Sequence, residues 1–212
     1  MPNSALSDLL DSLLCGSGDQ FDKSIHDKRV RKLQSLMKST EPVHFNTIAA
    51  RKGGGGAYAP GHGIHLSAKD AKHLSKHEMV TLSHELGHAK NFKILNKLKL
   101  SNPYMISRMA AVPSMMIGMA GQSETKTREG DRNVAIAASA LPSIQLGEEL
   151  TASARGLRHI PKIYGGGIKG VARSIPGLTS TAMTVGSYGA LAALPWAMHA
   201  ASGKPNKKDL KK

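Results

Sequence analysis

An α+β fold is predicted: a core of a small sheet and one central helix, then a mainly helical, apolar C-terminal half. Three observations predict it. Between residues 43 and 67, two β-prone segments are punctuated by Gly and Pro. Ser75-Lys-His-Glu78 is a capping box that opens a long run of helical periodicity. After Pro103 the stretches 109–121, 133–147 and 174–203 carry no charge, as helices packed away from water would.

The elements follow in order. Leu6, Leu9, Leu10, Leu13 and Leu14 fall at helical spacing between acids, so residues 1–15 read as a short amphipathic helix. No basic segment precedes them, so a secretory signal is not expected. Leu14 stands before Cys15 where lipid attachment wants a small residue, which argues against acylation. Residues 23–39 read as a basic amphipathic helix with Ile25, Val30, Leu33, Leu36 and Met37 on one side, ended by Glu41-Pro42. VHFNTIAA (43–50) reads as a strand, the glycines 53–56 as a turn, and 57–67 as one or two strands split at Pro60-Gly61. Ser67 and Ala68 open a short helix, and the capped helix runs from about 76 to 98. Residues 122–132 form a polar loop, and Gly177, Gly186, Gly189 and Pro195 are expected to interrupt the last uncharged stretch. The expected organisation is an N-terminal helical arm (1–40), a catalytic-type domain (41–160) with an apolar helical hairpin (103–147), a Gly/Ala-rich segment (161–203) and a basic tail (204–212).

Composition bounds the chemistry. The 212 residues suit one domain with appendages, and 40% hydrophobic residues are enough for a core. Aromatics are only 4%, so that core rests on Ala, Leu, Ile, Val and ten Met. The single Cys15 excludes an intrachain disulfide and a Cys-rich zinc site. A net charge of +14 favours an anionic partner. No nucleic-acid motif accompanies it, and few aromatics are present for bases to stack on, so a specific nucleic-acid partner is not expected.

The sequence motif with chemical content is His84-Glu85-Leu86-Gly87-His88. On a helix, i and i+4 share a face, so two imidazoles can grip one Zn2+ with Glu85 beside them as general base toward water. Ten His and seven Glu in 212 residues make a chance match a roughly 0.016 event per chain. Gly87 leaves room between the histidines for another element. A catalytic zinc takes three protein ligands. The third position is open to a downstream carboxylate: Glu124, Glu129, Asp131, Glu148, Glu149 or Asp209, of which Glu148 and Glu149 open a helix-like run.

HExxH at 84–88 followed by Glu149-Leu-Thr-Ala152 resembles the gluzincins, more narrowly the HtpX-like and CAAX-prenyl-protease metallopeptidases. In that resemblance His84, His88 and Glu149 bind zinc, Glu85 is catalytic, and Glu148 is the fallback ligand. The family's pattern continues with aspartate; this chain has Ser153. The resemblance spans about residues 55–158 and implies a zincin-like catalytic core and a metalloendopeptidase acting on a peptide or protein. It also implies a sheet edge beside the cleft, at 57–59 or 64–66, able to pair with an extended substrate. His62, His65, His73 and His77 read as surface or capping histidines, although a second metal is open. Arg155, His159 and Tyr164 are candidates to stabilise the oxyanion, with no spacing rule to select among them.

Resemblance favours a membrane hairpin over 103–147, whereas its two uncharged stretches are short for spanning helices, which need about 20 residues. Under the membrane reading, Lys90, Lys93, Lys97, Lys99, Arg155 and Arg158 flank the hairpin on the catalytic side, making that side cytoplasmic and anionic lipid a partner. The competing expectation is a membrane-active or structural assembly protein, of viral type, whose zinc site is vestigial or structural.

Overall fold

A computed structural model describes residues 28–52, 55–71 and 74–206. The leucine-rich segment 1–15 with Cys15, His73, and the end of the basic tail lie outside the described residues. Among the described residues seven helices and three strands follow in order: α1 (Lys28–Met37), β1 (Val43–His44), α2 (Ile48–Lys52), β2 (Gly56–Ala59), β3 (Gly63–Leu66), α3 (Lys76–Lys97), α4 (Ser101–Glu124), α5 (Arg128–Leu157), α6 (Ile160–Ile163) and α7 (Gly167–Ala201). The chain is thus mostly helical with one small mixed sheet, compatible with α+β.

Two compact units divide it. The first takes the chain up to Ile94 together with Thr151–Ala182, and the second takes Leu95–Leu150 together with Met183–Lys212. Both α5 and α7 pass from one unit into the other.

The first unit is organised by its sheet, of order β1-β3-β2. β1 runs parallel to β3 with Val43 opposite Ile64, and β2 runs antiparallel from Gly56 opposite Leu66 to Ala59 opposite Gly63. The break at Pro60-Gly61 is the hairpin turn, with Gly61 at φ 83° and Gly63 at φ 97°, a region that side chains resist. Segment 43–50 is a strand only over its first two residues. Asn46 turns into the left-handed region at φ 56°, and the Thr47 hydroxyl accepts the Ala50 amide at 3.2 Å. That hydroxyl cap starts α2 and overrides the β-propensity of the residues after it. Residues 67–69 are bends where a helix was expected.

The capping box forms at α3. The Ser75 amide donates to Glu78 Oε2 at 2.8 Å, and the Glu78 amide donates to Ser75 Oγ at 3.1 Å. Met79, Val80, Leu82 and Leu86 of α3 then join Val30, Leu33, Ile64, Leu66 and Ile160 in one hydrophobic core. α1 therefore contributes core residues as well as a basic outer face.

In the second unit, α4 begins before the uncharged stretch and α5 begins at Arg128, leaving only 125–127 of the expected polar loop outside helix. Pro113 and Pro142 lie inside α4 and α5 without ending them. α7 runs 35 residues through every glycine and proline expected to break it. Ala138 of α5 packs so closely on α4 that a Cβ at Gly118 would overlap it. Among the described residues, no helix is long and apolar enough to cross a membrane.

Candidate metal centre

α3 holds His84 and His88 one turn apart, and the i, i+4 spacing brings their Nε2 atoms to 2.9 Å with ring centroids 4.5 Å apart. Their helix meets α5 at two glycines. A Cβ on Gly87 would overlap the carbonyl of Ala152, and a Cβ on Gly156 would overlap that of Ser83. Glycine on each side lets the two backbones touch, which no side-chain-bearing residue there permits. The Asn91 amide group donates to Thr151 Oγ1 at 3.0 Å, a further tie between the same helices.

This crossing aims α5 at the histidines. Ser153 Oγ lies 3.0 Å from His84 Nδ1. Glu149 stands one turn before Ser153 on the same helix, so its carboxylate projects from the same face. One ligand atom each of His84, His88 and Glu149 lie within 4.8 Å of one another, and all three residues are buried. Among the described residues this is the one cluster of three or more such groups able to hold a metal ion.

The donor set passes a simple fit test. Two nitrogens at about 2.0–2.1 Å from a tetrahedral zinc stand roughly 3.3 Å apart. The 2.9 Å between the two Nε2 atoms is reached from that spacing by a small movement. Two imidazoles and a carboxylate also form a ligand set known from catalytic zinc sites. A cation held between the three groups would offset part of the cost of their burial.

Glu85 is buried at 7% exposure beside this cluster. β2 covers it: a Cβ on Gly56 would lie 3.3 Å from Glu85 Oε1. The strand thus runs past the proposed base, at the edge of the sheet. Tyr58 on this strand packs edge-on to Phe92 at 6.2 Å, and burial, with the charge of Glu41 adding, pushes its hydroxyl up to about 12.

Glu148, the fallback ligand, takes other company. It lies beside Tyr104 and Arg108 of α4. Arg108 is the residue that sequence reasoning passed over. Its guanidinium stands 3.8 Å from Glu149 Oε1, donates to the Tyr104 hydroxyl at 3.3 Å and covers that ring. Burial disfavours its charge, but Tyr104, Glu148, Glu149 and Tyr188 outweigh burial and hold it above its ordinary value. Burial raises Tyr104 and Tyr188 as well, so both stay protonated. A lone cation at the edge of an uncharged stretch was the available signal, since such a charge needs an acidic partner when buried.

The remaining histidines have structural surroundings. His65 is fully buried and stacked on His44 at 4.9 Å, while His77 is exposed. His159 Nε2 accepts from Arg158 Nε at 3.0 Å; burial first, then Arg158 and Lys162, lower its pKa and keep it neutral. Tyr164 packs against the core of the first unit, and a buried Arg155 Nη1 has no hydrogen-bond partner.

Comparisons with family models, with curated proteins and with solved structures found no match. The functional reading therefore stands on the geometry of the cluster itself.

Proposed function

We propose that this chain is a zinc-dependent metalloendopeptidase, a hydrolase of peptide bonds in the gluzincin manner. The observation that carries the reading is the buried convergence of His84, His88 and Glu149 with Glu85 beside them. His84, His88 and Glu149 would hold the ion, and Ser153 would orient His84 through Nδ1. When bound, zinc supplies Lewis-acid polarisation of the scissile carbonyl and acidifies water.

The chain's own groups do the rest. Glu85 accepts a proton from the attacking water at a carboxylate oxygen while the water oxygen bonds to the carbonyl carbon. As the C–N bond breaks, Glu85 returns that proton to the leaving amine nitrogen. The β2 edge binds an extended peptide by main-chain hydrogen bonds and so sets the scissile bond over Glu85. This edge presents Gly56, Ala57 and Ala59, whose small side chains leave the backbone approachable.

The test pairs metal content with cleavage. The wild-type chain should carry one zinc by elemental analysis, and Glu149→Ala should lose or weaken it. Glu85→Gln should keep the zinc and lose cleavage of an unfolded protein substrate by about 10²–10⁴-fold. Cleavage retained by Glu85→Gln would overturn the mechanism, and absence of zinc uptake on titration would overturn the site.

A further inference from the structure

The second unit has its polarity reversed. Its buried residues include Gln122, Asp131, Ser139 and Gln145, with Ala111, Met115, Ala135, Ala138 and Ala192 between them. These polar groups are bonded inside the unit. Gln122 donates to the Pro195 carbonyl at 2.9 Å, Gln145 to the Arg108 carbonyl at 2.9 Å, and Trp196 Nε1 to Ser139 Oγ at 3.2 Å. The outside is apolar. Ile106, Met109, Met116 and Ile117 of α4 are 66%, 77%, 63% and 73% exposed. Ile136 and Ile144 of α5 and Met183, Leu194 and Trp196 of α7 are exposed too. On α4 the spacing 106, 109, 113, 116, 117, 120 is that of one helix face with no charge on it. Contiguous apolar surface of this kind marks a site of contact rather than a face made for water.

The ends of the unit carry an excess of exposed cations. Lys97 and Lys99 precede α4 with no acid beside them, and around the α4–α5 turn the exposed Lys126, Arg128 and Arg132 outnumber the exposed Glu124 and Glu129. Between these ends the charge-free runs 109–123 and 133–147 are each about 22 Å of helix at ~1.5 Å per residue. That is shorter than the ~30 Å hydrocarbon core, so the face suits seating in the outer part of a bilayer rather than crossing it.

We propose that the outer apolar faces of the second unit dock into the surface of an anionic lipid bilayer. The apolar side chains enter the acyl boundary, and the lysines and arginines at the ends meet anionic headgroups. Charge selects this occupant over a second copy of the chain. Two chains of +14 repel, whereas an anionic surface attracts the excess of cations at the ends of the unit. The inference goes beyond the peptidase reading and does not depend on the metal site.

The test uses the full chain and vesicles of phosphatidylcholine, with and without phosphatidylglycerol. Flotation should show at least about tenfold tighter binding to the anionic vesicles. Trp196, the single Trp, should shift its emission to the blue on binding, which headgroup contact alone would not produce. Met109→Glu combined with Ile117→Glu should weaken binding at least about 100-fold, because each charge is costly in the acyl region. Met109→Ser combined with Ile117→Ser, a milder change at the same exposed positions, should weaken it about tenfold and decides the matter if the glutamate pair fails to fold. Binding unchanged in a folded double variant would overturn the proposal, as would equal binding to neutral vesicles. A stable lipid-free oligomer that binds neither vesicle would also overturn it, assigning the face to a second copy.

Discussion

The two units solve opposite problems with the same residue types. The first closes Val30, Leu33, Ile64, Leu66, Met79, Leu82 and Leu86 into a core and leaves lysines and arginines of α1 outside. The second keeps its large apolar residues outside and is held by small-residue contacts and buried polar bonds. In water the first arrangement gains from burying apolar surface. The second gains little that way and relies on buried hydrogen bonds such as those of Gln145 and Asp131, which are expensive to leave unmade. Hydrophobic truncation and polar truncation should therefore hurt different units.

Asp131 offers the largest expected effect. Its carboxylate, 1% exposed, pairs with His199 Nδ1 at 2.7 Å and Lys204 Nζ at 2.9 Å, and Thr125 Oγ1 donates to it at 3.2 Å. Asp131→Ala should cost about 3–5 kcal/mol in denaturant unfolding, since it takes one buried acceptor from three donors at once: His199, Thr125 and the partly buried Lys204 ammonium. The same group predicts a pH dependence. Burial by itself raises the Asp131 pKa, but the bonds from Lys204 and His199 win and hold it below its ordinary value. A depressed carboxylate stabilises the fold above its unfolded pKa of about 3.9, and that contribution is lost as pH falls through the lower folded value. Thermal melts should show wild type losing its advantage over Asp131→Asn in that acid window and keeping it at neutral pH.

The next test is a matched pair. Leu82→Ala, in the core of the first unit, should cost about 2–5 kcal/mol, whereas Ile117→Ala, on the outer face of the second, should stay within about 0.5 kcal/mol in lipid-free solution. Equal costs would break the comparison. At the centre between α3 and α5, Ser153→Ala should weaken metal affinity about 10–100-fold while leaving the melting temperature nearly unchanged, measured by competition with a zinc chelator. Smallest is the cap: Ser75→Ala should cost about 1 kcal/mol, detected as a lower melting temperature.

Several parts of this molecule were legible beforehand. Helix α3 and its capping box were readable because a hydroxyl and a carboxylate three residues apart meet only neighbouring amides. The pairing of His84 with His88 followed from helical geometry alone. The β2–β3 hairpin was announced by Pro60-Gly61. Less legible were β1, where the hydroxyl of Thr47 diverts the chain into α2, and the long helices, where prolines sit inside continuous α4, α5 and α7. A proline costs its helix one hydrogen bond, and whether the helix continues past it is decided by packing that local sequence does not record. The roles of Arg108 and Ser153 were hidden for the same reason, as their partners lie 41 and 69 positions away.

By itself the sequence determined what depends on near neighbours: the basic charge, the capped helix, and two imidazoles on one face with Glu85 between them. Tertiary structure decided what depends on distant approach. Gly87 and Gly156 leave no side chain at the crossing, so α3 and α5 touch backbone to backbone, and this contact selects Glu149 rather than Glu148 to face the histidines. Tertiary structure likewise decided that the uncharged helices turn their small and polar residues inward and their large apolar residues out. Periodicity marks an apolar face, but only packing determines whether that face meets a core or the surroundings.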